Sequence, residues 1–263
     1  MATYTHGHHE SVLRSHSNRN IANSAAYLKP YLDPGARLLD VGAGPGTITI
    51  DFASHVEHVT ATEVGDAELG LVKGLAQREG VRNIDFAVED VHALSFADGT
   101  FDVVHAHQVL QHVADPAQAL REMKRVTKPG GIVAARDADY AGFLWFPLAP
   151  ELADWLQLYR DAARANGGEP DAGRRLLSWA RAAGFEDVKA TASTWCYATP
   201  EEREWWGGMW ADRILESALA RQLVDSGMAD RARLEGISAA WRRWAESNDG
   251  WYLIPHGEVI CRA

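Results

Sequence analysis

Apolar stretches of strand length alternate with helical stretches between residues 36 and 137. The apolar stretches are ARLLDVG (36–42), HVTATEV (58–64), IDFAVED (84–90), FDVVHAH (101–107) and GIVAARD (131–137). Turn residues precede three of them, as DPG at 33–35, ADGT at 97–100 and KPGG at 128–131. Strands that alternate with helices are typical of βαβ units. The pattern therefore predicts a parallel, doubly wound sheet in this part of the chain.

The pattern becomes mainly helical after residue 137. Helices are predicted at 150–166, 171–185, 200–226 and 229–246, and a sixth and a seventh strand at 187–199 and 250–262. In α/β folds, insertions beyond the strand ends border the ligand crevice. We therefore predict an α/β fold with a doubly wound, seven-stranded, mainly parallel sheet and helical insertions that form a substrate cap.

Composition narrows the class of partner. The 263 residues are 46% hydrophobic and carry a formal net charge of −10, which favours a small-molecule partner over nucleic acid. No apolar run reaches the roughly 18–20 residues of a membrane span, and the polar N-terminus lacks the apolar region of a signal peptide. We expect a cytoplasmic protein without a membrane partner. Cys196 and Cys261 are expected to be reduced, packed thiols. A monomer and a homodimer both remain open.

A glycine-rich turn follows the first predicted strand. The motif LLDVGAGPGTI places Gly42, Gly44 and Gly46 before a helix that begins near Thr47. Glycines allow positive φ angles and let backbone N–H groups approach a ligand. A G-x-G-x-x-G dinucleotide turn needs its third glycine at position 47, and a Walker A loop needs Gly-Lys-Ser/Thr. The turn therefore fits neither motif.

Acidic residues end the next two predicted strands. Glu63 can accept hydrogen bonds from both hydroxyls of a ribose, and Asp90 can accept one from the amino group of an adenine. Val91 adds an apolar contact for such a ring. Each acid alone is more often a solvated strand end. Three such features after three successive strands predict a cofactor that contains adenosine.

These motifs resemble the class I S-adenosylmethionine-dependent methyltransferases, in particular the small-molecule branch that includes ubiquinone and menaquinone biosynthesis enzymes and the methyltransferase type 11 domain. The resemblance is carried by LLDVGAGPGTITI, VTATEV, FAVEDVHALSFADGTFDVVHAHQVLQHVADP and LREMKRVTKPGGIVAARDADY. It implies a Rossmann-like sheet with S-adenosylmethionine as the cofactor. The implied cofactor-binding residues are Tyr4, Asp40, Gly42, Gly44, Gly46, Glu63, Asp90, Val91 and His107.

The resemblance also implies a lid before the first strand. The predicted organisation is a helical lid (1–32) whose helix runs from about Asn18 to Leu28, a cofactor-binding core (33–137), a helical insertion (138–170), a core helix and strand (171–199), a helical cap insertion (200–248) and a final core strand (249–263). The lid contains the histidine-rich stretch YTHGHHESVLRSH, from which His8 and His9 are expected to face the reaction chamber. The spacing of these histidines is poor for zinc, and we predict no metal.

The end of the fourth strand supplies candidate catalytic residues. Methyl transfer is an in-line displacement, and a general base helps when the nucleophile carries a proton. His107 lies near the strand end, and His112 follows five residues later. Both are candidate bases, and the alternative is that they only shape the pocket. The Asn/Asp-Pro-Pro-aromatic motif of nucleic-acid amino-methyltransferases is absent from this position.

Aromatic residues of the helical region are candidates for the acceptor pocket. We single out Tyr140, Trp145, Trp206 and Trp210, although ordinary helix packing also accounts for buried tryptophans. The predicted function is S-adenosylmethionine-dependent methylation of a small organic acceptor of aromatic or polyketide-like type. The alternatives are non-methyl chemistry such as decarboxylation or cyclisation on the same fold, binding without turnover, and an unrelated α/β binding protein or dehydrogenase.

Overall fold

The computed structural model describes residues 18–263, and its centre is a mixed sheet of eight strands. The strand order is β3-β2-β1-β4-β5-β8-β6, with β7 paired to the other edge of β8. The strands are β1 (Arg37–Val41), β2 (His58–Glu63), β3 (Ile84–Val88), β4 (Phe101–His107), β5 (Thr127–Ala138), β6 (Leu144–Phe146), β7 (Val188–Tyr197) and β8 (Trp251–Arg262). The predicted α/β class is confirmed.

Nine α-helices are present among residues 18–263. They are α1 (Ile21–Ser24), α2 (Thr47–Phe52), α3 (Asp66–Glu79), α4 (Pro116–Val126), α5 (Pro150–Ala165), α6 (Leu176–Ala182), α7 (Pro200–Glu216), α8 (Ala218–Asp225) and α9 (Arg231–Glu246). Short 3₁₀ turns cover Lys29–Tyr31, Leu110–His112, Tyr140–Gly142 and Gly173–Arg175. Most predicted helices and strands are present within a few residues of their predicted bounds.

Strand direction divides the sheet into two parts. β1 to β5 pair in parallel, whereas β8 runs antiparallel to β5, β6 and β7. The strand order reverses between β1 and β4, because β2 and β3 follow β1 on one side and β5 follows β4 on the other. An open α/β sheet forms its ligand crevice at such a point. The carboxyl ends of β1, β2, β4 and β5 therefore share the edge that carries the predicted site.

Three apolar cores hold the layers together. One face of the sheet packs against α1, α2 and α3, and the opposite face packs against α4 and α6. The third core joins α5, α7, α8 and α9 and contains most of the buried tryptophans. Fully burying a large apolar side chain contributes about 1.5–3 kcal/mol. The helical cap therefore has a core of its own, which continues from the sheet through Tyr252.

The structure corrects three details of the predicted elements. The helix expected from Asn18 to Leu28 is only the single turn α1. The capping box of Asn20 and Asn23 starts it at Ile21, and it ends where Ala25 leaves the helical conformation. The helix expected at 200–226 breaks at Ser217, where the backbone is extended between α7 and α8. β6 is an additional strand within the predicted insertion, paired to the start of β8.

Candidate active site

The glycine turn after β1 has the backbone conformation that only glycine adopts without strain. Gly42, Gly44 and Gly46 have φ angles of 66°, 59° and 89°. A Cβ added at Gly42 would lie 2.6 Å from Cγ2 of Val109, and one at Gly46 would lie 2.6 Å from Cγ1 of Val72. The turn is therefore packed from two sides against α3 and the segment after β4. A side chain at Gly42 or Gly46 would displace these neighbours, so the shape of the turn depends on glycine.

Glu63 fixes the turn from the end of β2. The backbone N–H of Gly44 donates a hydrogen bond to Oε1 of Glu63 at 2.5 Å. Burial raises the pKa of the Glu63 carboxyl, and the Gly44 N–H opposes this shift. A carboxylate beside the turn suits a ligand with paired hydroxyls. The structure therefore brings together the turn and the predicted ribose-binding acid.

Asp90 and Val91 follow β3 at the same edge of the sheet. Oδ1 of Asp90 accepts hydrogen bonds from the backbone N–H of His92 at 2.9 Å and from its ring Nδ1 at 2.7 Å. The backbone bond from His92 is the main cause that lowers the pKa of Asp90. The Asp90 side chain is 46% exposed and Val91 is buried. The pair thus presents an ionised carboxylate next to an apolar surface.

Asp40 lies beneath the turn rather than at its surface. Its Oδ2 accepts a hydrogen bond from the Thr49 hydroxyl at 2.6 Å, and its Oδ1 contacts Nδ1 of His105 at 2.8 Å. Both carboxylate oxygens thus have protein partners, and the side chain is buried. Within the protein, Asp40 thus joins α2 to β4 under the turn, and its direct contact with the cofactor stays a prediction.

His107 ends β4, and both of its ring nitrogens are buried without a hydrogen-bond partner in the described part of the chain. Its ring stacks at 6.5 Å from that of His105 and at 6.4 Å from that of His256, and Trp195 lies 5.9 Å away. Burial, followed by the charges of Arg19 and Arg136, holds the pKa of His107 well below its usual value. The imidazole is therefore neutral near pH 7, with one nitrogen able to accept a proton.

Gln108 connects this region to the start of the described chain. Its φ angle of 55° is unusual for a residue other than glycine. Its Oε1 accepts a hydrogen bond from Arg19 at 2.9 Å, so its amide nitrogen is the donor to Nε2 of His256 at 3.0 Å. His256 then carries its proton on Nδ1, which donates to the Ile254 carbonyl at 3.1 Å. His256 is thereby fixed as a neutral tautomer.

His112 lies on the other side of the β4 end. The Gln111 amide contacts Nε2 of His112 at 3.0 Å, and burial lowers the pKa of His112 to about 3. His112 ends the 3₁₀ turn Leu110–His112, whereas His107 belongs to the β4 strand. Of the two, we retain His107 as the candidate base.

The predicted aromatic residues meet in the cap. The ring centres of Trp206 and Trp210 lie 6.1 Å apart, and the Trp210 ring also contacts those of Trp155 and Trp241 in the helical core. Tyr140 stacks on Phe143 and on Tyr159, and Trp145 stacks on Tyr252. Packing within the cap accounts for these contacts of Trp206 and Trp210. Tyr4, His8 and His9 lie outside the described residues.

Sequence reasoning missed Arg136, Trp195, His256 and Glu258. The β4–β5 and β5–β8 registers place His107, Arg136 and Glu258 side by side on one face, and His256 follows on the same face of β8. The face continues through Ile254 to Tyr252 of the aromatic cap. A charged residue inside the apolar run IVAARD is the signal that could have identified Arg136.

Two kinds of feature are absent from residues 18–263. Within this range, no group of three or more His, Cys, Asp and Glu side chains could hold a metal ion. The same residues include no helix that is long and apolar enough to cross a membrane.

The shifted pKa values predict a stability maximum near pH 6.5. Burial lowers the pKa of His107, His112 and His256, so the unfolded chain binds more protons below pH 6.5 and stability falls with acid. Burial raises the pKa of Asp137 to about 8, so stability also falls as pH rises from about 4 to 8. Each group contributes up to about 1.4 kcal/mol per pH unit.

Urea unfolding at pH 5, 6.5 and 8 measures this profile. Asp137 faces the backbone N–H groups of Leu110 and Gln111 and the charge of Arg136. Asp137→Asn keeps the shape of the side chain and is expected to reduce the loss of stability between pH 6.5 and 8. An unchanged loss in the variant would show that another group titrates.

The glycine turn, the acids after β2 and β3 and the sheet order define a cofactor-dependent α/β enzyme. A family model described as a methyltransferase domain matches residues 39–135. An uncharacterized methyltransferase of Schizosaccharomyces pombe is 33% identical, over 98% of this chain and 95% of its own. The ubiquinone/menaquinone biosynthesis C-methyltransferase UbiE of Vibrio parahaemolyticus is 31% identical, over 59% of this chain and 66% of its own.

The solved structure of the YcgJ protein from Bacillus subtilis has the same fold. Its TM-score is 0.60 at 17% identity, and the match covers 90% of this chain and 96% of that chain. The chain belongs to the S-adenosylmethionine-dependent methyltransferases. The predicted family and cofactor are thereby confirmed.

Proposed function

We propose that the chain methylates a small organic acceptor that binds between the carboxyl ends of β4 and β5 and the aromatic cap. The observation that carries the proposal is His107, a buried imidazole whose two nitrogens have no hydrogen-bond partner among residues 18–263. Buried polar groups are nearly always hydrogen-bonded in folded proteins. A partner supplied by a ligand satisfies this requirement at the edge of the sheet where the cofactor turn lies.

The residues around the turn fit S-adenosylmethionine. We assign the methionyl part to Gly42, Gly44 and Gly46, the ribose to Glu63, and the adenine to the pair after β3. The hydrogen bond from the Gly44 N–H to Glu63, which joins the turn to the predicted ribose-binding acid, supports this assignment. S-adenosylmethionine supplies a methyl group on a sulfonium, which makes the methyl carbon an electrophile.

His107 is assigned the proton of the acceptor. One ring nitrogen is unprotonated over the physiological range, so it can accept a hydrogen bond from the nucleophile and take its proton as the bond to the methyl carbon forms. The lowered pKa of His107 makes the ring a weak base, so this transfer suits an acceptor whose own proton is acidic. Trp195 and His256 hold the imidazole in place by ring contacts. We further assign Tyr140 and Trp145 to the wall of the acceptor chamber and Trp206 and Trp210 to the layer behind it.

Transfer of a labelled methyl group tests the proposal. The protein is incubated with S-adenosylmethionine labelled in the methyl carbon and a panel of small hydroxylated aromatic, polyketide-like and aliphatic compounds. We expect label in at least one compound together with an equal amount of S-adenosylhomocysteine. A product without label would assign the site to cyclisation or decarboxylation. Binding of the cofactor without any product from a broad panel would favour a binding protein.

A further inference from the structure

A buried arginine lies beside the proposed base. Arg136 is in β5, follows four apolar residues and is 1% exposed. Its Nε donates to the Ser193 hydroxyl at 3.1 Å and lies 3.3 Å from Oε1 of Glu258. Its terminal nitrogens Nη1 and Nη2 are buried and have no hydrogen-bond partner within residues 18–263. Burial lowers the pKa of Arg136 to about 10, which leaves the guanidinium charged at neutral pH.

Glu258 does not complete the coordination of this guanidinium. Its Oε1 accepts a hydrogen bond from Ser193 at 2.5 Å, and its Oε2 accepts one from Thr191 at 2.9 Å. Its contact with Arg136 is to Nε. The terminal nitrogens of an arginine form a planar fork that matches the two oxygens of a carboxylate. Buried polar groups are nearly always hydrogen-bonded, so these two nitrogens are available to bind the acceptor oxygens of a ligand.

The surroundings of Arg136 suit a flat ligand with one negative charge. The Trp195 ring lies 4.9 Å from the Arg136 guanidinium, and its indole N–H donates to the Asn23 carbonyl at 2.7 Å. The Tyr27 hydroxyl is also buried without a partner. The carboxylate of Glu258 already lies beside Arg136, so a doubly charged phosphate would meet strong repulsion. A monoanionic carboxylate adds one charge and two acceptor oxygens.

The strand register sets the size of this ligand. His107 and Arg136 are direct partners across the parallel strands β4 and β5, whose backbones lie about 4.8 Å apart. We propose that the methyl acceptor is a small aromatic acid whose carboxylate binds the Arg136 fork while a neighbouring nucleophile contacts His107. This inference rests on the proposed function. The 2-hydroxybenzoate ion has this arrangement and is the probe of choice.

Calorimetry on the protein saturated with S-adenosylhomocysteine tests the inference without turnover. We expect 2-hydroxybenzoate to bind roughly tenfold or more tightly than the uncharged 2-hydroxybenzamide. The double variant Arg136→Gln/Glu258→Gln removes both buried charges together, so no unpaired charge remains. It is expected to lose the preference for the acid. Arg136→Lys keeps the charge and lacks the planar fork, and it is expected to retain only part of the preference.

Arg242 provides a matched control. Its side chain is 56% exposed and pairs with Asp212 far from β5, so Arg242→Gln is expected to bind both probes as the wild type does. The proposal is overturned if the wild type shows no preference for the acid or if the double variant keeps it. It is also overturned if the double variant loses affinity for S-adenosylhomocysteine instead, because the fork then binds the cofactor carboxylate. Absence of methyl transfer with the preference intact would refute only the proposed function.

Discussion

Gly42→Ala is expected to lower the affinity for S-adenosylhomocysteine by about 100-fold or more, measured by titration calorimetry. The new Cβ would lie 2.6 Å from Cγ2 of Val109 on a backbone with φ of 66°. To relieve this contact, either the turn or the segment after β4 must move. Both border the proposed cofactor site. The combined strain and overpacking are also expected to lower the free energy of unfolding by about 1–3 kcal/mol.

Two other glycines separate the causes of this effect. Gly80 has a φ angle of 69° with nothing within 4 Å of an added Cβ, so Gly80→Ala introduces backbone strain without a collision. Gly70 is helical and equally open, so Gly70→Ala is expected to be neutral or slightly stabilising. Neither control is expected to change the affinity for S-adenosylhomocysteine. Normal affinity in Gly42→Ala would remove the turn from the cofactor site.

His107→Gln is expected to lower kcat by a factor of roughly 10²–10⁴ with an acceptor that the labelled panel identifies. The glutamine amide retains hydrogen-bonding capacity, yet it cannot take up a proton near neutral pH. Affinity for S-adenosylhomocysteine is expected to change by only a few fold. The wild-type kcat is expected to show no ionisation of His107 between pH 6 and 8, because burial keeps its pKa well below 6.5.

His256→Gln is the matched control for this substitution. Both rings belong to the same stack, and His256 is held by Gln108 and the Ile254 carbonyl rather than left without partners. His256→Gln is expected to cost stability with a much smaller loss of kcat. Equal losses of kcat in the two variants would indicate that His107 only packs in the pocket.

The grouping of the glycine turn with the two acids could be predicted because its signals are local. Gly42, Gly44 and Gly46 occupy one short turn, and Glu63 and Asp90 follow the next two strands, so strand order alone brings them to one edge. α1 is shorter than expected because Ala25, a good helix former, leaves the helical conformation.

The polar row formed by His107, Arg136 and Glu258 depends on pairing between distant strands. Arg136 meets Glu258 only because β8 returns between β5 and β7, which also brings Trp195 over the guanidinium. No local pattern specifies that register. The partner of Asp40 was hidden for the same reason, because His105 lies 65 residues further along the chain. Sequence reasoning therefore found the turn and its acids but not the polar row beside His107.

Calorimetric titration of the wild-type protein with S-adenosylhomocysteine and, separately, with NAD tests the cofactor assignment on which every role above depends. The glycine spacing, with Thr47 where a dinucleotide turn needs glycine, and the Gly44–Glu63 contact both favour the first ligand. We predict saturable binding of S-adenosylhomocysteine at one site and no heat of binding with NAD. Tight binding of NAD without a response to S-adenosylhomocysteine would contradict the assignment.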